Sequence, residues 1–192
     1  MSAAKRLGRE GAIEALLDAA EDLFVAHGPA AVSLRDVARR AGVNHGLIHH
    51  YIGSRDDLLH AVFSRATERA RATVDGSSDV GEALDRLRAL GGSDDGFTRL
   101  LAWARLEGHD PRAIHGRSAA LDAIAGASGR DDRMLRMVLA AAMVQTLGWK
   151  LFGEYARVAA GLDDEDPESL RREIDAVIDR AVRDAALDGG ER

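Results

Sequence analysis

Four side chains with polar ring atoms crowd onto one short stretch of the chain: His45, His49, His50 and Tyr51. Imidazole and phenol groups hydrogen-bond to base edges and phosphates, which is the chemistry that reading duplex DNA requires. His45 and His49 also stand four residues apart, so on a helix they could ligate a metal. No cysteine or carboxylate lies beside them at a zinc-type spacing, and the sequence contains neither HExxH nor a phosphate-binding loop. We therefore predict nucleic-acid recognition, with no catalytic residue, metal or cofactor.

Two short helices joined by a tight turn would position these side chains. Ser33 is a candidate N-cap of the first helix, Gly42 can adopt the left-handed conformation of a turn, and Asn44 is a candidate N-cap of the second. The apolar stripe of the first helix is Leu34, Val37, Ala38 and Ala41, and the predicted buried positions of the second, which Gly53 ends, are Leu47, Ile48 and Ile52. This pattern is typical of a DNA-binding helix-turn-helix, although ordinary all-α domains also contain it.

Residues 33–59, with the helix before them, resemble the DNA-binding domain of the tetracycline-repressor (TetR) family of bacterial transcription factors. The matching residues, in register and without a gap, are Val37, Ala38, Ala41, Gly42, Val43, Gly46, Tyr51, Ser54 and Leu58. The departures from the family pattern are Asn44 for Ser, Leu47 for Thr, His49 for Tyr, Ile52 for Phe and Arg55 for Lys. In the family the positions of Leu47 and His49 face the DNA groove, so these two departures leave the operator preference open.

The resemblance also implies a set of DNA contacts. The residues that it directs toward base edges are Arg35, His45, Gly46, Leu47 and His49. Those that it directs toward phosphates are Ser33, Asn44, His50, Tyr51 and Arg55. Arg35 is the best candidate for a bidentate contact to guanine, and Gly46 would allow the backbone to approach the duplex.

The net charge of −6 is unevenly distributed along the chain. Residues 1–75 contain ten Lys or Arg and ten Asp or Glu, whereas residues 76–192 contain sixteen and twenty-two. DNA contact would therefore depend on two local basic clusters: Lys5, Arg6 and Arg9 in the leader, and Arg35, Arg39, Arg40 and Arg55 around the motif. The alternative is that these arginines only lie on solvated helix surfaces. With no cysteine, no membrane-spanning apolar run and no signal-peptide core, we expect a soluble, cytoplasmic protein that does not contact a membrane.

The whole chain is predicted to be all-α, with about nine helices. A helix-turn-helix domain would occupy residues 1–53, a connecting helix residues 54–75, and an effector-binding and dimerisation domain residues 76–192. Outside the motif, helices are predicted at 9–27, 80–90, 96–107, from Asp110-Pro111, at 113–127, at 131–161 and at 167–187. Gly116, Gly126 and Gly129 weaken the prediction for 113–127.

The resemblance gives the second half of the chain its expected role. In the family the two C-terminal helices form a four-helix dimer interface, although here they could simply complete the monomer core. The candidate effector residues, which could equally be ordinary core aromatics and surface polar groups, are Phe97, Trp103, Arg105, His109, Gln145, Trp149, Phe152 and Tyr155. We expect a homodimeric repressor that binds a palindromic operator in double-stranded DNA and leaves it when a small molecule binds. The alternative is a helical adaptor whose degenerate helix-turn-helix contacts protein.

Overall fold

The computed structural model describes residues 8–90, 96–114, 116–129 and 133–187, and in these ranges it contains ten α-helices and no strand. The helices are α1 (Arg9–His27), α2 (Leu34–Ala41), α3 (His45–Tyr51), α4 (Arg55–Val74), α5 (Val80–Leu90), α6 (Gly96–Leu106), α7 (Pro111–Ile114), α8 (Ala119–Ala127), α9 (Arg133–Ala159) and α10 (Pro167–Leu187). The all-α prediction is confirmed. Lys5 and Arg6 of the leader, Gly91 and Gly92 after the predicted helix 80–90, and the predicted helix start at Asp131 lie outside the described residues.

Residues 113–127, predicted as one helix, do not form one. Asp110 Oδ1 accepts a hydrogen bond from the Arg112 N–H at 2.9 Å and begins α7, as the Asp-Pro pair indicated. Gly116 then has φ +62°, a left-handed conformation that interrupts the helix. The Ser118 side chain accepts a hydrogen bond from the Leu121 N–H and begins α8. The helix therefore divides at one of the glycines that weakened the prediction.

The chain divides into two compact units, one within Met1–Thr67 and Gly96–Arg117, the other within Glu68–Asp95 and Ser118–Arg192. The core of the first unit contains residues of α1 to α4 and of α6, including Phe24, Phe63 and Leu100. Phe97 meets Phe63 edge to face, with 5.9 Å between ring centroids. Helices α6 and α7 therefore pack with the helix-turn-helix, although the predicted boundary at residue 76 grouped them with the second domain.

Inside the first unit, Arg65 fixes α4 against α1. Its side chain is only 12% exposed, and its guanidinium lies 2.6 Å from Asp18 Oδ1, 2.5 Å from Glu21 Oε2 and 3.3 Å from Glu14 Oε2. Burial disfavours the charged guanidinium, but the hydrogen bonds to Glu21 and Asp18 outweigh it and raise the pKa of Arg65. The arginine therefore remains a cation that ties both helices together behind the helix-turn-helix.

The second unit has its own core, formed by α5, α8, α9, α10 and the end of α4. Arg88 on α5 donates two hydrogen bonds to the carboxylate of Asp179 on α10, at 2.8 and 2.5 Å. Both side chains are largely buried, at 12% and 16% exposure. Breaking such a pair by removing one partner leaves the other charge buried and uncompensated, so the contact fixes α5 on α10.

Helix α9 exposes most of its apolar surface in the single chain. Only Leu135, Leu139, Ala142 and Gly153 are buried along it. Its exposed large apolar residues are Met134, Met137, Met143, Val144, Leu151, Phe152, Tyr155 and Val158. By length and composition alone α9 could also cross a membrane, but the core helix of a soluble protein meets the same criterion. An apolar surface of this extent marks an interaction site.

Acid should weaken the start of α5. Ser78 donates its backbone N–H and its hydroxyl to Glu82 Oε2, both at 2.7 Å, and Arg86 donates to Glu82 Oε1 at 2.6 Å. These bonds, those from Ser78 first, lower the pKa of Glu82 from 4.5 to about 2. A folded-state pKa below the unfolded one stabilises the protein above pH 4.5, and this stabilisation is lost as the pH falls through about 2.

We therefore expect the free energy of unfolding at neutral pH to be larger for wild type than for Glu82→Gln. This difference should shrink as the pH falls. Urea unfolding followed by circular dichroism at a series of pH values measures it. A difference that stays constant from pH 4.5 to pH 2 would show that the Glu82 carboxylate is not stabilised as described.

Candidate nucleic-acid interface

A capping box begins α2. Ser33 Oγ accepts a hydrogen bond from the Asp36 N–H at 3.2 Å, while Asp36 Oδ2 accepts from the Ser33 N–H at 3.3 Å and from its hydroxyl at 2.5 Å. The hydrogen bonds from Ser33, side chain first, lower the pKa of Asp36, so its carboxylate stays charged beside the positive end of the helix. Gly42, with φ 67° and ψ 23°, ends α2 in the left-handed conformation. The predicted cap and turn are confirmed.

Helix α3 has one buried and several exposed sides. Asn44 caps it by accepting the Gly46 N–H at 2.9 Å, as predicted, and Ile48 is fully buried. Leu47 is 40% exposed, so the prediction that it is buried is wrong. Successive residues on an α-helix are rotated by about 100°, so a core that covers only a narrow side of α3 can bury Ile48 while Leu47 stays exposed.

The four ring side chains of α3 form two pairs. His45 and His49 meet edge to face with 5.5 Å between centroids, and His50 lies 5.6 Å from Tyr51 in a tilted arrangement. The three histidines are exposed, whereas Tyr51 is half-buried. Among the described residues, no group of three or more potential ligands could hold a metal ion. The arrangement presents hydrogen-bonding edges outward.

A second capping box follows α3. Ser54 Oγ accepts the Asp57 N–H at 3.1 Å, and Asp57 Oδ2 accepts the Ser54 N–H at 2.8 Å. The hydrogen bonds from Ser54, side chain first, lower the pKa of Asp57. Gly53, at φ +106°, lies so close that a Cβ there would be 2.6 Å from Asp57 Oδ2. The short α3 is therefore held between a capped start and a fixed exit.

Arg35 differs from the other arginines of the motif. It is exposed on α2, and its guanidinium has no hydrogen bond or ion pair with any described residue. The others have partners: Arg39 with Asp36 at 2.6 Å, Arg40 with Asp22 at 3.0 Å, and Arg55 with the Ala30 carbonyl at 3.2 Å. Two of the four arginines therefore have a carboxylate partner, whereas all the donors of Arg35 are unpaired among the described residues. The remaining candidates, Ser33, Asn44 and Gly46, are exposed.

One contact behind this surface was not indicated by the sequence. Glu107, which follows α6, accepts the Ala30 N–H with both carboxylate oxygens, at 2.9 and 3.0 Å. Trp103 packs against Gly28, where a Cβ would lie 3.1 Å from the indole. Ala30 belongs to the 3₁₀ turn Pro29–Ala31 that leads into α2. The end of α6 therefore holds the entrance of the helix-turn-helix, through residues 77 positions apart.

Removing this contact should destabilise the first unit. Glu107→Ala deletes a charged acceptor, and hydrogen bonds to charged groups contribute about 1.5–3 kcal/mol. Glu107→Gln keeps one acceptor oxygen and should lose less. Urea unfolding and hydrogen exchange at the Ala30 amide measure both effects. If the Ala30 amide of Glu107→Ala exchanges at the wild-type rate, Glu107 does not protect it by a hydrogen bond.

The candidate effector residues fall in both units. Four lie on or just after α6 in the first unit: Phe97 against Phe63, Trp103 against Gly28, Arg105 with Nη1 2.6 Å from the His109 carbonyl, and His109 with Nε2 3.6 Å from Glu107 Oε2. These contacts are explained by packing and hydrogen bonding within that unit. The other four lie on α9.

An open groove of about 280 Å³ runs along α9. Gln145, Trp149 and Phe152 line it, together with Val144, Gly148, Gly153 and Ala156. The Gln145 Nε2 atom is buried without a hydrogen-bond partner among the described residues. Tyr155, the remaining candidate, is exposed on the same helix and does not line the groove. The lining of the groove is therefore mainly apolar.

The sequence of this chain is similar to those of known bacterial regulatory proteins. Residues 16–62 match the family model described as bacterial regulatory proteins, tetR family. The HTH-type transcriptional repressor Rv3405c of Mycobacterium tuberculosis is 33% identical over 182 residues, 91% of each chain. The repressor Rv1474c of the same organism is 29% identical over 180 residues, 88% of this chain and 91% of that one.

Two solved structures share the fold. A TetR-family transcriptional regulator from Streptomyces coelicolor superposes with a TM-score of 0.52 at 24% identity, covering 89% of this chain and 99% of that one. A second regulator from the same species superposes with a TM-score of 0.50 at 25% identity, covering 96% and 99%.

Proposed function

We propose, because the chain belongs to the TetR family of bacterial regulatory proteins, that it is a ligand-responsive repressor that binds a palindromic operator as a homodimer. The family consists of DNA-binding transcriptional regulators rather than enzymes. The observation that carries the proposal is the exposed surface of α2 and α3, where Arg35 has no partner among the described residues and three histidines face solvent.

On DNA, α3 would lie in the major groove. Arg35, His45, Gly46, Leu47 and His49 would approach base edges. Ser33, Asn44, His50, Tyr51 and Arg55 would approach phosphates. Exposure of all of these except the half-buried Tyr51 supports the assignment. Phosphate contacts would position the helix, while base contacts would select the sequence.

The dimer would form through α9 and α10. The exposed apolar side chains of α9 have no cover in the single chain, and Val177 on α10 is 68% exposed. A second copy supplies the same surface, and a twofold axis makes such an interface self-complementary. Two helix-turn-helix motifs related by that axis would read two half-sites, which explains a palindromic operator.

The effector would bind in the second domain, assigned to residues 76–192. The α9 groove is its first candidate site, and because Val144 and Phe152 of the proposed dimer surface line this groove, a ligand there would lie at the dimer interface. The apolar lining suits a small organic molecule. Such a ligand releases the operator only if it binds the DNA-incompetent state more tightly. A regulator of this kind acts in the bacterial cytoplasm.

The salt dependence of duplex binding tests the proposal against a protein-binding adaptor. We expect the logarithm of the association constant to fall linearly with the logarithm of salt concentration, because each phosphate contact releases counterions. Fluorescence anisotropy of a labelled duplex at increasing KCl measures the slope. An adaptor would show no duplex affinity even at the lowest salt.

A further inference from the structure

We propose that Leu47 reads the C5-methyl group of a thymine in each operator half-site. This inference rests on the proposed DNA binding and deepens it by assigning a base to one side chain. It starts from the finding that Leu47 is 40% exposed on α3 while its neighbour Ile48 is fully buried.

Leu47 lies where a recognition helix meets base edges. It is the third residue of α3, and the N-terminal residues of such a helix contact the bases. Rotation by about 100° per residue places Gly46 nearly opposite Ile48, at the centre of the exposed side, with Leu47 beside it. Gly46 carries no side chain, so nothing at that position holds the backbone away from the duplex. An isolated exposed leucine is common on protein surfaces; its place on this helix is what singles Leu47 out.

The neighbouring histidines leave Leu47 accessible. His45 and His49 pair with each other, with 5.5 Å between ring centroids, on the flank of α3 away from Leu47. Among the described residues of α2 and α3, Leu47 is the one large apolar side chain that is exposed. A ligand that covers this part of the surface must therefore supply one apolar group between polar ones.

Major-groove chemistry supplies that group in one base. Thymine alone presents a methyl group there, whereas the other base edges present hydrogen-bond donors or acceptors. A leucine pressed against those polar atoms would leave them unpaired, which costs binding free energy. Leu47 therefore favours a thymine and disfavours the other three bases at its position.

Replacing thymines by deoxyuridine tests the inference, since this removes the methyl group alone. The probe is the duplex that the protein selects from a random pool, with each thymine replaced in turn. At one position per half-site we expect wild type to bind about fourfold more weakly, and about fifteenfold when both half-sites are replaced. Leu47→Ala shortens the apolar side chain, so its preference for the thymine duplex over the deoxyuridine duplex should be smaller than that of wild type.

Other outcomes separate this inference from the proposed function. If wild type and Leu47→Ala respond alike to deoxyuridine at every thymine of a selected palindrome, Leu47 does not read a methyl group, while the proposed function stands. If no duplex is selected, both fail. Because Leu47 is exposed, Leu47→Ala should keep the wild-type unfolding midpoint, and this measurement ensures that a loss of binding is not a loss of folding.

Discussion

Replacing Arg35 by alanine should weaken binding to the selected duplex by about 1–3 kcal/mol for each half-site, which is roughly 5- to 150-fold. The guanidinium is exposed on α2 and has no partner among the described residues, so all of its donors are available to a guanine edge. A bidentate contact to guanine O6 and N7 discriminates among bases, so the loss should be larger on the selected duplex than on a scrambled one. Fluorescence anisotropy at a fixed salt concentration measures both.

Arg39→Ala is the matched control on the same helix. The Arg39 side chain is 74% exposed, and Arg35 is exposed as well, but the Arg39 guanidinium lies 2.6 Å from Asp36 Oδ1. We expect a smaller loss of affinity, of similar size on the selected and scrambled duplexes. If Arg35→Ala also weakens both duplexes equally, Arg35 contacts a phosphate and does not read a base.

Replacing Phe152 by aspartate should convert the dimer into monomers. Phe152 is 62% exposed in the single chain, so the substitution leaves the described core intact. In the proposed interface it places a carboxylate in an apolar contact, and loss of an aromatic hot-spot residue costs about 2 kcal/mol or more. Sedimentation velocity measures the association, and operator affinity should fall with it because each monomer then binds one half-site.

Glu154→Ala controls for changes elsewhere in the same turn of α9. Glu154 is exposed and charged, so removing it deletes no apolar contact, and we expect this variant to remain dimeric. If Phe152→Asp sediments as a dimer at the same protein concentration as wild type, the interface does not include Phe152.

Local interactions made much of the helix-turn-helix predictable from the sequence. Ser33 and Asn44 cap helices through neighbours within three residues, and Gly42 adopts the left-handed conformation that a glycine allows. Such contacts depend on residue type and spacing alone. The burial of Leu47 could not be predicted in the same way, because α3 is too short for its apolar pattern to distinguish adjacent sides.

Contacts between distant residues were beyond prediction. The hydrogen bond from Ala30 to Glu107 joins residues 77 positions apart, and the packing of α6 with the first unit depends on the same long-range arrangement. The effector site is hard to predict for a different reason. Trp149 and Phe152 have the chemistry of core, interface and ligand-binding residues alike, so their types do not distinguish these roles.

Selection of duplexes from a random pool by the purified protein at moderate salt, followed by the stoichiometry on the selected duplex, tests whether the protein recognises DNA as a homodimer. We expect enrichment of a palindrome whose half-sites lie about one helical turn or a multiple apart, bound by two chains. Enrichment of an asymmetric site bound by one chain would contradict the dimeric account. Absence of any enrichment, also with cell metabolites present, would contradict DNA recognition by this helix-turn-helix.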